Sequence, residues 1–300
     1  MQSHIELLNI SYQLIKRLGL RKSFDPQEAI FIFGDPRSGS TWLAEMISMA
    51  TERLLVDEPL NLNHTKDLLP DSFGWRQHIP ENQDWLEVRD YFINLLSGKN
   101  IPHPCIRQND LIHFLKSKNA VYKTIRGKRL LHWLKANIKF KYKPIFLIRH
   151  PLAMIHSLSK HQSWNYQFRP FELPKKRNIE TYVKHNDFLQ NLRSTEEQIL
   201  AHWCMANEIY FKHDNLIKDC IIVKYEDLLS DTENTLIDIF NEWQMDVGGI
   251  NKIDFRKPSS SSNKGHKILP AVQKEQWKKE MDNTSVQKYN RILEYFEIEY

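Results

Sequence analysis

Ile30-Phe31-Ile32-Phe33-Gly34-Asp35-Pro36-Arg37-Ser38-Gly39-Ser40-Thr41-Trp42-Leu43 joins an apolar run to a tight polar loop and then to a helix-compatible segment. The apolar run reads as a buried strand. After it come Gly34, four residues, then Gly39, Ser40 and Thr41. That spacing suits a phosphate-cradling loop, where small residues let backbone N–H groups and a helix N-terminus face an anion. A nucleoside triphosphatase places Lys directly after the second glycine to reach the outer phosphates. This chain has Ser40 there, and its cation is Arg37, inside the loop.

Pro36-Arg37-Ser38-Gly39-Ser40-Thr41 resembles the 5′-phosphosulfate loop of sulfotransferases that use 3′-phosphoadenosine 5′-phosphosulfate (PAPS). The resemblance implies PAPS as co-substrate without a metal, and donor contacts from Arg37, Ser38, Gly39, Ser40, Thr41 and Trp42. The charge is consistent with this. The reactive end of PAPS is less charged than a triphosphate tail, so one guanidinium with backbone donors and hydroxyls can neutralise it.

A second segment points the same way. Lys143-Pro144-Ile145-Phe146-Leu147-Ile148 reads as a buried strand, Arg149 stands at its end, and Pro151 to Leu158 reads as a helix with Pro in its first turn. Ser157 lies eight residues after Arg149, about two turns into that helix, on a face that can look back to the strand end. The pair resembles the family's 3′-phosphate site. Many members have Asp or Asn after the arginine, whereas this chain has His150.

Ala120-Val121-Tyr122-Lys123-Thr124-Ile125 is a further apolar strand with a polar end. Family members acting on small molecules carry Lys-Thr-His here, with the histidine as general base; this chain keeps Lys123 and Thr124 but has Ile125, which cannot accept a proton. Glu58, in Val56-Asp57-Glu58-Pro59, follows Arg37 by twenty-one residues, a strand–helix–strand distance that returns to the same sheet edge. Carbohydrate and protein-tyrosine sulfotransferases have a Glu at a similar distance, and in several it is the base. The resemblance therefore implies Glu58 as base. Arg37 and Lys123 would stabilise charge on the departing 3′,5′-bisphosphate (PAP) in an in-line displacement. His64, His103 and His156 are weaker candidates.

Ile221 to Tyr225 reads as a last strand. Pro258 to Lys267 is a basic, small-residue loop, in which Lys264-Gly265 is the nearest match to the Arg-Lys-Gly segment that closes over the 3′-phosphate in the family. A serine-rich linker has the same composition. Trp277 and the helix ending in Tyr295-Phe296 read as core packing.

The 300 residues, 41% of them hydrophobic, can bury a sizeable core, and no Pro/Gly-rich linker divides them, so residues 1–300 read as a single domain. A net charge of +5 favours anionic ligands but is too mild to argue for nucleic acid. Cys105, Cys204 and Cys220 have no metal or disulfide spacing, which indicates a reducing compartment. Residues 1–25 read as an amphipathic N-terminal helix without a signal-peptide core or a membrane span, so a cytoplasmic location is expected. Residues 61–119, rich in aromatic and basic side chains (Phe73, Trp75, Arg76, His78, Trp85, Arg107), are expected to shape the acceptor pocket. Residues 164–178, broken by Pro170 and Pro174, are expected to form a lid.

The expected architecture is α/β: a three-layer α/β/α, P-loop-like nucleotide-binding fold with a central parallel sheet, its strands near 30–34, 53–57, 120–124, 144–149 and 220–225. The expected function is transfer of the PAPS sulfonate to a hydroxyl of a carbohydrate or other small molecule. A module that binds PAPS or PAP without catalysis is the alternative; a nucleotide kinase is disfavoured by the missing loop lysine.

Overall fold

A computed structural model describes residues 22–65, 67–106, 111–161, 167–212, 216–260 and 270–300. Residues 1–21 of the expected N-terminal helix, Arg107, residues 164–166 of the expected lid, and Lys264-Gly265 lie outside the described residues. Residues 22–25 are not helical, a correction to the expected 1–25 helix. There the chain is extended, with Phe24 N–H bonded to Ser97 C=O at 3.0 Å, and Asp25 caps a short 3-10 turn at Pro26–Glu28.

Among the described residues five strands form one parallel sheet: β1 (Ile30–Phe33), β2 (Leu54–Asp57), β3 (Ala120–Thr124), β4 (Ile145–Ile148) and β5 (Ile221–Lys224). Their order is β2-β3-β1-β4-β5. Every residue of β1 to β4 is buried, as expected for parallel strands covered on both faces. The period-two alternation then divides the side chains between two cores.

Phe31, Phe33, Val56, Tyr122 and Phe146 face one core, and Ile30, Ile32, Leu55, Val121 and Leu147 face the other. The first contains Val88, Phe92 and Leu95 of α2 (Leu86–Leu96), Trp133 of α3 (Leu131–Asn137), and residues of α4 (Pro151–Ser159) and α5 (Thr195–Lys212). Leu43 and Ile47 of α1 (Ser40–Thr51) belong to the second. So do Leu228 of α6 (Tyr225–Ser230) and Leu236, Ile239 and Phe240 of α7 (Thr232–Glu242). This is the three-layer arrangement. Truncating one of these buried side chains to Ala costs about 2–5 kcal/mol.

Tyr225, expected in the last strand, opens α6 instead. Phe73 and Trp85, expected near the acceptor pocket, sit in the first core with their rings 6.0 Å apart. Trp277, on α8 (Pro270–Glu280), is core, as its sequence context indicates. The helix α9 (Asn283–Tyr295) packs against α5. No helix among the described residues is long and apolar enough to cross a membrane.

Candidate active site

Parallel strands all point one way, so the loops after β1, β2, β3, β4 and β5 share one edge. After β1, Ser38 tightens the loop: its hydroxyl donates to Asp35 C=O at 2.7 Å and accepts from Asp35 N–H at 3.1 Å. Ser38 is fully buried and shapes the cradle from within. The Asp35 carboxylate faces backward, accepting from Lys128 Nζ at 2.5 Å and Asn207 Nδ2 at 3.2 Å, which ties the loop to α5.

Gly39 adopts the left-handed conformation at φ 84° as α1 begins. A Cβ there would meet the Tyr225 ring at 2.4 Å, so the loop reaches α6 only because this residue is glycine. The helix's first backbone bond runs from Leu43 N–H to Gly39 C=O at 3.1 Å. The N–H groups of Ser40, Thr41 and Trp42 are thereby left at the helix mouth for another acceptor. Trp42 itself is half-buried against the second core.

Arg37 also has left-handed backbone, φ 60°, and its Nε donates to Ser157 Oγ at 3.3 Å. Arg149, at the end of β4, is buried, donates from Nη1 to Arg37 C=O at 2.5 Å, and lies 4.4 Å over the Tyr225 ring. Its Nε has no hydrogen-bond partner among the described residues. Burial holds both guanidinium groups below their ordinary pKa, and proximity to Arg149 pushes Arg37 further down. Two converging cations and an unsatisfied donor match a polyanion.

His150 performs the capping that Asp or Asn would: its Nδ1 accepts from Leu152 N–H at 3.2 Å, and its own N–H donates to Glu226 at 2.9 Å. The ring packs against that of Trp277 at 4.4 Å, tilted by 31°, and burial lowers its pKa to about 4, so it is the neutral acceptor a cap needs.

A second cluster lies over β2 and β3. Glu58 has φ 57°, and its N–H donates to Lys123 C=O at 2.8 Å. Its Oε1 accepts from Lys123 Nζ at 2.8 Å and from Ile125 N–H at 3.0 Å; its Oε2 accepts from Arg126 Nη1 at 2.5 Å. Lys123 also donates to Asp57 at 2.8 Å. Its two carboxylate partners raise the Lys123 pKa against the opposing effect of burial. Ile125, where small-molecule enzymes carry the histidine, thus supplies a backbone donor to Glu58. Arg126 stacks on the exposed Trp75 ring at 4.7 Å.

The structure thus brings Arg37, Arg149 and Ser157 together, and separately Glu58 and Lys123. Sequence reasoning missed Tyr225, Arg126 and the Asp35–Lys128–Asn207 group. Asp35 inside the loop and Arg126 three residues after Lys123 were their only local signals. Of the weaker histidines, His156 pairs with Glu280 at 3.1 Å, near the α4–α8 contact. No group of three or more metal-ligating side chains is assembled among the described residues.

Residues 27–297 match the sulfotransferase domain family, and the chain belongs to it. Sulfonyl transfer is the reaction class that this family defines. The chain is similar in fold to the sulfotransferase domain from the curacin biosynthetic pathway, at 15% identity and TM-score 0.50, covering 92% of this chain and 99% of that one. It also aligns with the sulfotransferase domain of the Synechococcus PCC 7002 olefin synthase at 17% identity and TM-score 0.48, covering 93% of this chain and 97% of that one. A third likeness is to a mouse sulfotransferase complexed with PAP, at 13% identity and TM-score 0.42, covering 91% and 84%. No curated protein sequence matches the chain significantly.

Proposed function

We propose that this sulfotransferase uses PAPS as donor and transfers its sulfonate to a hydroxyl of a carbohydrate or other small molecule, with Glu58 as base. The observation that carries the donor assignment is the Arg37–Arg149 pair. A buried guanidinium, Arg149, and a half-buried one, Arg37, converge where helix N–H groups open, with an unsatisfied Arg149 Nε. In this reading Arg149 and Ser157 hold the 3′-phosphate; Arg37, Gly39, Ser40, Thr41 and Trp42 hold the 5′-phosphosulfate side; Ser38 keeps the loop in shape. Lys264-Gly265 would add to the 3′-phosphate contacts.

Glu58 accepts three hydrogen bonds, and a carboxylate offers about four acceptor positions, so one remains for the acceptor hydroxyl. It would take that proton as the oxygen attacks sulfur in line. Lys123 spends two of its three N–H groups on Asp57 and Glu58. Its third would meet charge developing at the transferring group, alongside Arg37. Residues 61–119 and 164–178 would border the acceptor. The three cysteines are free thiols, which supports a cytoplasmic setting.

Calorimetric titration with PAP and with AMP, without magnesium, tests the donor site. Preference for PAP that Arg149→Ala removes supports it; equal or absent binding overturns it. The crowding of donors around Glu58 favours one rival, a module that binds PAP without transfer. In that case no PAP is released from PAPS with any acceptor, and Glu58→Ala changes nothing.

A further inference from the structure

The site divides along the sheet. Arg37, Arg149 and Tyr225 follow β1, β4 and β5, whereas Glu58 and Arg126 follow β2 and β3, with Lys123 inside β3. On the Glu58 side lies Arg76. It is half-buried and takes part in no hydrogen bond or ion pair among the described residues. Its backbone is left-handed, φ 52°.

Among the described residues, seven non-glycine positions have positive φ, and three of them are Arg37, Glu58 and Arg76. An arginine in this conformation persists only where its surroundings enforce it. The buried Gln77 does so. Its Oε1 accepts from Gly74 N–H at 2.7 Å, and its Nε2 donates to His78 C=O and to Arg177 C=O, each at 2.7 Å. A buried amide thus fixes the turn that presents Arg76.

The surroundings are basic. Arg126 stands between Glu58 and Trp75. Arg129 donates to Thr181 Oγ1 at 2.5 Å and lies 5.6 Å from the Tyr182 ring, with no carboxylate in ion-pair distance among the described residues. The His202 ring is 5.8 Å from that of Tyr182, and its Nδ1 is buried without a hydrogen-bond partner. Arg126 bonds Glu58 and stacks on the ring of Trp75, the residue that precedes Arg76, so the turn carrying Arg76 is seated beside the candidate base. Burial, and then Arg126, lower the Arg76 pKa, while Tyr182, Asp35 and Glu58 oppose this.

We propose that the acceptor carries an oxyanion, a carboxylate or a phosphate or sulfate ester, that docks on Arg76 beside Glu58. The geometry suits a planar guanidinium, which pairs two-pronged with such groups and needs a counter-charge when half-buried. Arg129 extends the same basic wall, and His202, kept neutral by burial and by Arg76 and Arg129, adds a ring nitrogen but no charge. This rests on the reading of Glu58 as base and of PAPS as donor.

The test loads the enzyme with PAP and titrates matched alcohols by calorimetry: glucose 6-phosphate and glucuronate against glucose, 3-hydroxybutanoate against its methyl ester, and 4-hydroxybenzoate against its methyl ester. The phosphate and carboxylate arms show which oxyanion is preferred. The expected result is at least one anionic member binding roughly tenfold or more tighter than its neutral partner, with Arg76→Gln bringing the pair to near parity and PAP affinity unchanged. No anionic preference in any pair, or a preference that survives Arg76→Gln, overturns the proposal. Failure of PAP itself to bind would instead sink the donor assignment.

Discussion

Arg149 donates to the backbone carbonyl of Arg37, while the Arg37 side chain donates to Ser157, two turns along the helix that Arg149 precedes. The two regions expected to hold opposite ends of the donor are thus one hydrogen-bonded unit. Arg149→Ala should remove a charge-assisted contact to the ligand, worth about 1.5–3 kcal/mol, and also release the Arg37 carbonyl. PAP affinity measured by calorimetry should fall roughly ten- to hundredfold, while AMP affinity changes little.

Glu58→Gln keeps the shape of the side chain and removes its basicity. Turnover with an accepted alcohol should fall by about 10²–10⁴-fold, with PAP affinity unchanged. An unchanged rate would assign proton removal elsewhere.

Lys123→Met leaves Asp57 and Glu58 without their shared ammonium in a buried setting, where breaking an ion pair costs about 3–5 kcal/mol. Urea denaturation should show a lower midpoint with the same slope.

Gly39→Ala places a Cβ against Tyr225 at a residue with φ 84°. Left-handed strain alone costs about 1–2 kcal/mol for a residue with a side chain, and the clash adds to it. PAP binding should weaken, and Tyr225→Ala in the same chain should recover part of the loss by clearing the space. No recovery would show that backbone strain, not the ring, is limiting.

His150 has its pKa lowered from 6.5 to about 4, first by burial and then by Lys278 and Arg149. Between those values the unfolded chain takes up a proton that the folded chain refuses. The contribution of His150 is therefore complete above pH 6.5 and is lost as pH falls toward 4, by at most about 3 kcal/mol. His150→Asn preserves the cap and removes the titration. Its stability should decline less steeply than the parent's across that window.

Strands β1 to β4 were legible because four short apolar runs end in polar residues, a pattern that burial on both faces of a parallel sheet imposes. The Arg149–Ser157 relation was legible because helix periodicity sets it. Tyr225 was misplaced by one element, since an aromatic residue continues an apolar run as readily as it opens a helix. Phe73 and Trp85 carry the same composition signal as Trp75, yet only Trp75 is exposed; the difference arises from packing. Arg76 is marked only by the basic and aromatic composition of its segment, and Gln77 gives no local signal. A left-handed arginine held by an amide that reaches residue 177 exists only once distant segments meet.

β2 and β3 are neighbours in the sheet, but residues 58–119 leave and return between them, whereas the groups placed around the donor follow β1, β4 and β5. The excursion is therefore joined to the sheet on one side only, while Phe73, Trp85, Val88, Phe92 and Leu95 key it into the first core. Any exchange of this segment must keep those core side chains, because the keel that seats it is also the packing that holds β2 and β3 in place.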